Sequence, residues 1–145
     1  MKILVINGPN LNMLGKRDPA IYSNGTYDDL LELIDNRALE LNLDVDFFQS
    51  NHEGAIIDRI QEAMSDDTMG IIINPGAYAH YSYAIHDALE MVFLPKIEVH
   101  ISDIRTREEF RHTSVTEKAC DQVIIGEGFN GYVHALDLIV EMINE

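Results

Sequence analysis

Two stretches of the chain collect side chains able to move protons. The first, Asn7-Gly8-Pro9-Asn10-Leu11-Asn12, leads through Lys16-Arg17 to Tyr22 and gathers amides, a guanidinium and a phenol. The second is Glu98-Val99-His100-Ile101-Ser102. In an extended segment Glu98, His100 and Ser102 leave one face while Ile97, Val99 and Ile101 leave the other. A carboxylate beside an imidazole orients the ring and favours its protonated form, which makes His100 a proton donor. The same two residues also fit an ion pair holding a sheet edge. Tyr22 alone fits a packed ring with a bonded hydroxyl. A free phenol ionises near pH ~10, and each unit of depression needs ~1.4 kcal/mol of differential stabilisation. Arg17 and the segment Arg105, Arg107, Arg111 carry the charge for that, and a phenolate so held is a base for a carbon acid. This assembly suits chemistry on a carbonyl compound and calls for no metal.

Such residues act only if elements bring them together. Short apolar runs near 2–6, 45–49, 69–74, 97–101 and 122–126 alternate with helical patterns near 27–42, 54–65, 82–92 and 131–144. Connection 102–118 reads as loop with one short helical turn. Alternating strands and helices imply an α/β fold: a three-layer, flavodoxin-like arrangement with a five-stranded parallel sheet of order 2-1-3-4-5 and helices on both faces. Gly8-Pro9 ends the first strand and Pro75-Gly76 the third. In that order the loops after Asn7 and Asn74 flank one crevice at the switch point, where open α/β sheets place their sites.

The 145 residues are 46% hydrophobic and 24% charged, which suits one soluble domain, 1–145. No apolar run approaches the roughly 18 residues of a membrane span, and the chain is expected to be cytoplasmic. A net charge of −15 argues against nucleic acid or an anionic membrane as partner. Five of the ten basic residues fall in the Lys16-Arg17 and Arg105, Arg107, Arg111 segments, enough local charge for a small anion. Cys120 stands alone, so the chain has neither an internal disulfide nor a Cys-x-x-Cys cluster.

Other chemistries fit less well. His80 and His86 are six apart, unlike the i, i+4 pair of a helical zinc site. No Gly-x-Ser-x-Gly elbow occurs, and Ser82 reads as a helix N-cap. Neither Gly-x-Gly-x-x-Gly nor the Walker pattern follows the first strand, which weakens a flavodoxin-like mononucleotide-binding or protein-interaction module. An imine-forming lyase would need Lys2, Lys16, Lys96 or Lys118 at a strand-end pocket.

Taken in order, Asn7-Gly8-Pro9-Asn10-Leu11-Asn12, Arg17 to Tyr22, Gln49-Ser50-Asn51-His52-Glu53-Gly54, Asn74-Pro75-Gly76-Ala77-Tyr78, Glu98-Val99-His100-Ile101-Ser102 and Arg107-Glu108-Glu109-Phe110-Arg111 resemble the type II 3-dehydroquinate dehydratases. The resemblance implies reversible anti elimination of water from 3-dehydroquinate through an enolate, with no cofactor, metal or imine. It implies Tyr22 as base, Arg17 as the group keeping the phenolate ionised, and Asn10 as holder of a water at the enolate oxygen. His100, supported by Glu98, would protonate the leaving hydroxyl. Ile101 and Ser102 would take the substrate carboxylate, Asn74, His80 and Arg111 the ring hydroxyls, and Arg107 would add electrostatic support. Asp87 would reach in from a neighbouring subunit of a trimer, trimers assembling into a dodecamer. The chain departs from the usual pattern at Ser23-Asn24-Gly25, Tyr81, His86 and Thr113.

Overall fold

In the computed structural model, which describes residues 1–16 and 25–145, five parallel strands form one sheet. They are β1 (Lys2–Asn7), β2 (Asp44–Gln49), β3 (Thr68–Asn74), β4 (Lys96–His100) and β5 (Gln122–Ile125). Their order is β2-β1-β3-β4-β5, the flavodoxin-like arrangement expected from the sequence. Four α-helices connect them: α1 (Tyr27–Glu40), α2 (Glu53–Glu62), α3 (Tyr83–Glu90) and α4 (Asn130–Asn144). The inner strands β1, β3 and β4 are buried almost throughout because helices cover both their faces, whereas edge strand β2 alternates between partly buried and exposed residues at its start.

Alternation along β1 divides the core in two. Ile3 and Val5 pack with Leu30 and Ile34 of α1 and Leu136 and Ile139 of α4. Leu4 and Ile6 pack on the opposite face with Ile56 and Ile60 of α2 and Ile85 and Leu89 of α3. A capping box starts α1: the Thr26 hydroxyl accepts from the Asp29 N–H at 3.1 Å, and the Asp29 carboxylate accepts from the Thr26 N–H at 3.0 Å. Ser82 does the N-cap duty read from its position, accepting from the Ile85 N–H at 3.0 Å while its own hydroxyl donates to Glu53 at 2.5 Å.

Both α2 and α3 stop short of the expected 65 and 92. Their last turns tighten into i to i−3 bonds, as in Met64 N–H to Gln61 and Val92 N–H to Leu89. The buried ammonium of Lys96 then takes the carbonyls of Leu89 and Val92 at 2.7 and 2.6 Å, satisfying the end of α3. Connection 102–118 departs further from expectation. It holds three 3-10 turns, Ile104–Thr106, Glu109–Arg111 and Glu117–Ala119, rather than one. A side-chain acceptor favours the first, where the Asp103 carboxylate takes the Arg105 N–H at 3.0 Å.

Candidate active site

A cavity opens where the carboxyl ends of β1, β3 and β4 meet, with β1 and β3 reaching it in register at Asn7 and Asn74. Its walls come from the loops after those strands. Gly8 donates to the Asn74 carbonyl at 2.8 Å, and a Cβ placed on Gly8 would lie 2.3 Å from the Pro75 oxygen. Gly76 sits at φ +61, a left-handed backbone that favours glycine, with the Pro9 carbonyl close by. The two glycines therefore let the two loops interlock. Asn10 also takes a left-handed conformation, φ 71, which asparagine tolerates, and its N–H donates to the Asn51 side chain at 3.0 Å. The crevice between the loops after Asn7 and Asn74, expected from the sequence, is present.

Beneath those loops the fully buried phenol of Tyr132 ties the two strands to α4. It donates to Asn7 Oδ1 at 2.6 Å and accepts from Asn74 Nδ2 at 3.0 Å. Asn74 Oδ1 accepts the Gly76 N–H at 3.1 Å, so this amide is oriented from both ends. Burial pushes the Tyr132 phenol up from its ordinary value, which keeps it a neutral donor.

The β4 wall carries the predicted pair. Glu98 is wholly buried and accepts from His100 Nε2 at 2.7 Å. Because β4 lies between β3 and β5, the pair does not hold a sheet edge. His100 lines the cavity, whereas Glu98 reaches it only through the imidazole. The His80 ring stacks on that of His100, centroids 6.3 Å apart and 21° between planes. A carbonyl can only accept, so His80 Nδ1 donates to Thr113 O at 2.9 Å, which leaves Nε2 as the acceptor of the neutral ring. Burial, with lesser contributions from His100 and Arg111, holds the His80 pKa below the usual histidine value.

Cations complete the outer wall. Arg107 and Arg111 line the cavity; Arg105 is exposed and does not. Arg111 Nε donates to Glu108 at 2.7 Å, and its guanidinium carbon lies 4.7 Å from the Phe110 ring centroid. That guanidinium holds the Glu108 carboxyl below the usual range.

Of the residues named from the sequence, Asn10, Asn74, His80, His100, Ile101, Ser102, Arg107 and Arg111 thus share one cavity. Arg17 and Tyr22 lie outside the described residues. Asp87 is exposed on α3 and does not line the cavity; its carboxylate meets His86 Nδ1 at 3.2 Å. Together with Glu90 these form the one three-residue grouping of metal-ligand type among the described residues. Sequence reasoning missed Tyr132, an aromatic hydroxyl on an otherwise apolar helix face. It also missed Ser114 and Thr116, whose hydroxyls both reach Glu98. The only signal for the latter was two hydroxyl residues two apart after Arg111.

An open parallel sheet with a polar cavity at its switch point, lined in part by two arginines, places this chain among flavodoxin-like α/β proteins. The Dehydroquinase class II family model matches residues 1–140. The chain belongs to that family. It is 57% identical over 143 residues to a 3-dehydroquinate dehydratase of Lachnospira eligens, covering 98% of this chain and 97% of that one. A type II dehydroquinase crystal structure from Butyrivibrio crossotus superposes with TM-score 0.95 at 57% identity, over 97% of each chain. Another, from Propionibacterium acnes, gives TM-score 0.87 at 43% identity, over 97% of this chain and 98% of that one.

Proposed function

We propose that residues 1–145 form one catalytic domain that dehydrates 3-dehydroquinate reversibly to 3-dehydroshikimate by anti elimination through an enolate. The observation that carries this reading is the Glu98 and His100 pair, buried in the sheet and opening into a cavity with guanidinium groups on its far wall. Family membership supplies the reaction class.

Tyr22, as phenolate beside Arg17, takes the C2 proton. The electrons left behind move into the C3 carbonyl, giving an enolate whose oxygen a water held by Asn10 stabilises. When the enolate collapses, the C1–C2 double bond forms and the C1–O bond breaks. His100 supplies the proton that lets this oxygen leave as water rather than hydroxide. Glu98 orients the imidazole and balances its charge. The Ile101 N–H with the Ser102 N–H and hydroxyl takes the substrate carboxylate. Asn74, neutral His80 and Arg111 take the ring hydroxyls, Arg107 adds positive potential, and Asp87 of a neighbouring subunit closes the site. No cofactor enters this scheme.

Lysine placement argues against an imine. Lys2 and Lys96 begin β1 and β4, at the end of the sheet away from the cavity, and neither Lys16 nor Lys118 lines it. We further assign the protein to the cytoplasm, as a dodecamer built from trimers; none of its described helices is long and apolar enough to cross a membrane. The test is to add 3-dehydroquinate to the purified protein and follow the ultraviolet absorbance of the conjugated enone. A rise catalysed by the protein supports the activity, and a flat trace rejects it.

A further inference from the structure

Glu98 is held by more than its histidine. With 0% of its surface exposed, its carboxylate has no bulk water to solvate it, so protein donors must satisfy both oxygens. His100 Nε2 reaches only Oε2. The Ser114 hydroxyl donates to the same oxygen at 2.5 Å, and the Thr116 hydroxyl donates to Oε1. The Glu117 N–H occupies a lone pair of Ser114 Oγ at 3.1 Å, which turns the serine hydrogen toward the carboxylate. Both hydroxyl residues are buried and neither lines the cavity, so any influence on a guest passes through Glu98.

We propose that Ser114 and Thr116 are positioning residues for the proton donor: their hydroxyls anchor Glu98 at both oxygens, and Glu98 in turn holds the His100 imidazolium in one orientation. This deepens the dehydration reading given above and rests on it. An anchored acceptor keeps Nε2–H pointing inward, so that Nδ1, which carries the second proton of the imidazolium, is the ring nitrogen turned to substrate. The same stretch fixes the neighbouring ring. Thr113 O receives His80 Nδ1 at 2.9 Å, and Val115 N–H donates to Ala79 O at 2.7 Å. Residues 113–116 therefore act as a strap that sets both stacked imidazoles from behind, one through a carbonyl and the other through a carboxylate.

The experiment is a double-mutant cycle on dehydration kinetics. Thr116→Val and Ser114→Ala should each lower kcat about ten- to a hundredfold, because misaligning a donor is felt in the chemical step. KM should stay within about twofold, since the contacts of the bound ground state are untouched. Thr116→Ser, which keeps the hydroxyl, should recover kcat to within about threefold of the parent. In a Glu98→Ala background Thr116→Val should change kcat by less than about twofold, because the acceptor it acts through is already gone. The proposal is overturned if both hydroxyl deletions keep parental kcat, or if Thr116→Val loses the same factor with and without Glu98, the mark of a packing role. Should Thr116→Val fail to fold by circular dichroism, the Ser114→Ala cycle with Glu98→Ala decides by the same criteria. Absence of any turnover in the parent protein is a different result, and defeats the activity itself.

Discussion

Glu98 and His100 show how much a spacing of two can carry. On a strand it dictates a shared face, and on β4 it yields a 2.7 Å bond between a carboxylate and a ring nitrogen at the mouth of a cavity. If His100 delivers the proton, His100→Ala should lower kcat by about 10²- to 10⁴-fold with the fold intact by circular dichroism. Parental turnover in that variant rejects the assignment. His80 gives a pH prediction. Its pKa lies below the usual 6.5, so below that value the unfolded chain takes up its proton before the folded one. This site's contribution to stability is then fully present above 6.5 and is lost as pH falls from there toward the depressed folded value. Protonating Nε2 also removes the acceptor assigned to a ring hydroxyl. KM should therefore rise with acidity below the ordinary histidine range, and His80→Gln should flatten that rise. At this scale the acceptors and cations were legible in the sequence because each lies in a short motif. Ser114 and Thr116 were not, since 16 and 18 positions separate them from the Glu98 they bind.

Strands and helices were legible to within a few residues, because apolar runs of strand length and helical stripes repeat in strict alternation. Where the bounds differed, a late contact was responsible: i to i−3 tightening ended α2, and the Lys96 ammonium closed α3. Turn residues marked the two site loops, but not that one loop seats against the other. Gly8→Ala tests that seating. A methyl 2.3 Å from the Pro75 oxygen forces the loops apart, for a loss of about 3 kcal/mol in denaturant unfolding together with most of the activity. Parental stability and turnover would show that the loops separate freely. Tyr132→Phe removes the hydroxyl that orients Asn7 and Asn74 and should cost about 1–3 kcal/mol, with a raised KM as Asn74 loses its anchor. An unchanged chevron and KM would remove Tyr132 from the site's support.

For the whole molecule, the sheet order sets the site. Because β1 runs between β2 and β3, loops diverge from neighbouring strand ends and leave a crevice that a hairpin-built sheet would fill. Asp87 belongs to this scale, being exposed and absent from the lining of its own chain's cavity. If it completes the site of another subunit, Asp87→Ala should raise KM or lower the sedimenting mass; if neither changes, the cross-subunit role falls. Borohydride added with substrate should leave activity intact, since no lysine faces the cavity, and inactivation would overturn the enolate route. Sequence alone determined the α/β class, the strand order and the motifs carrying His100, Asn74 and Arg111, because periodicity and turn chemistry are local properties read directly from residue order. The tertiary structure decided which distant groups meet: the Ser114 and Thr116 hydroxyls on Glu98, the Tyr132 phenol between two asparagines, and Arg105 outside the cavity that Arg107 and Arg111 line. Such meetings depend on how helices and loops pack across the sheet, and no local pattern in the chain encodes the distance between residues far apart in sequence.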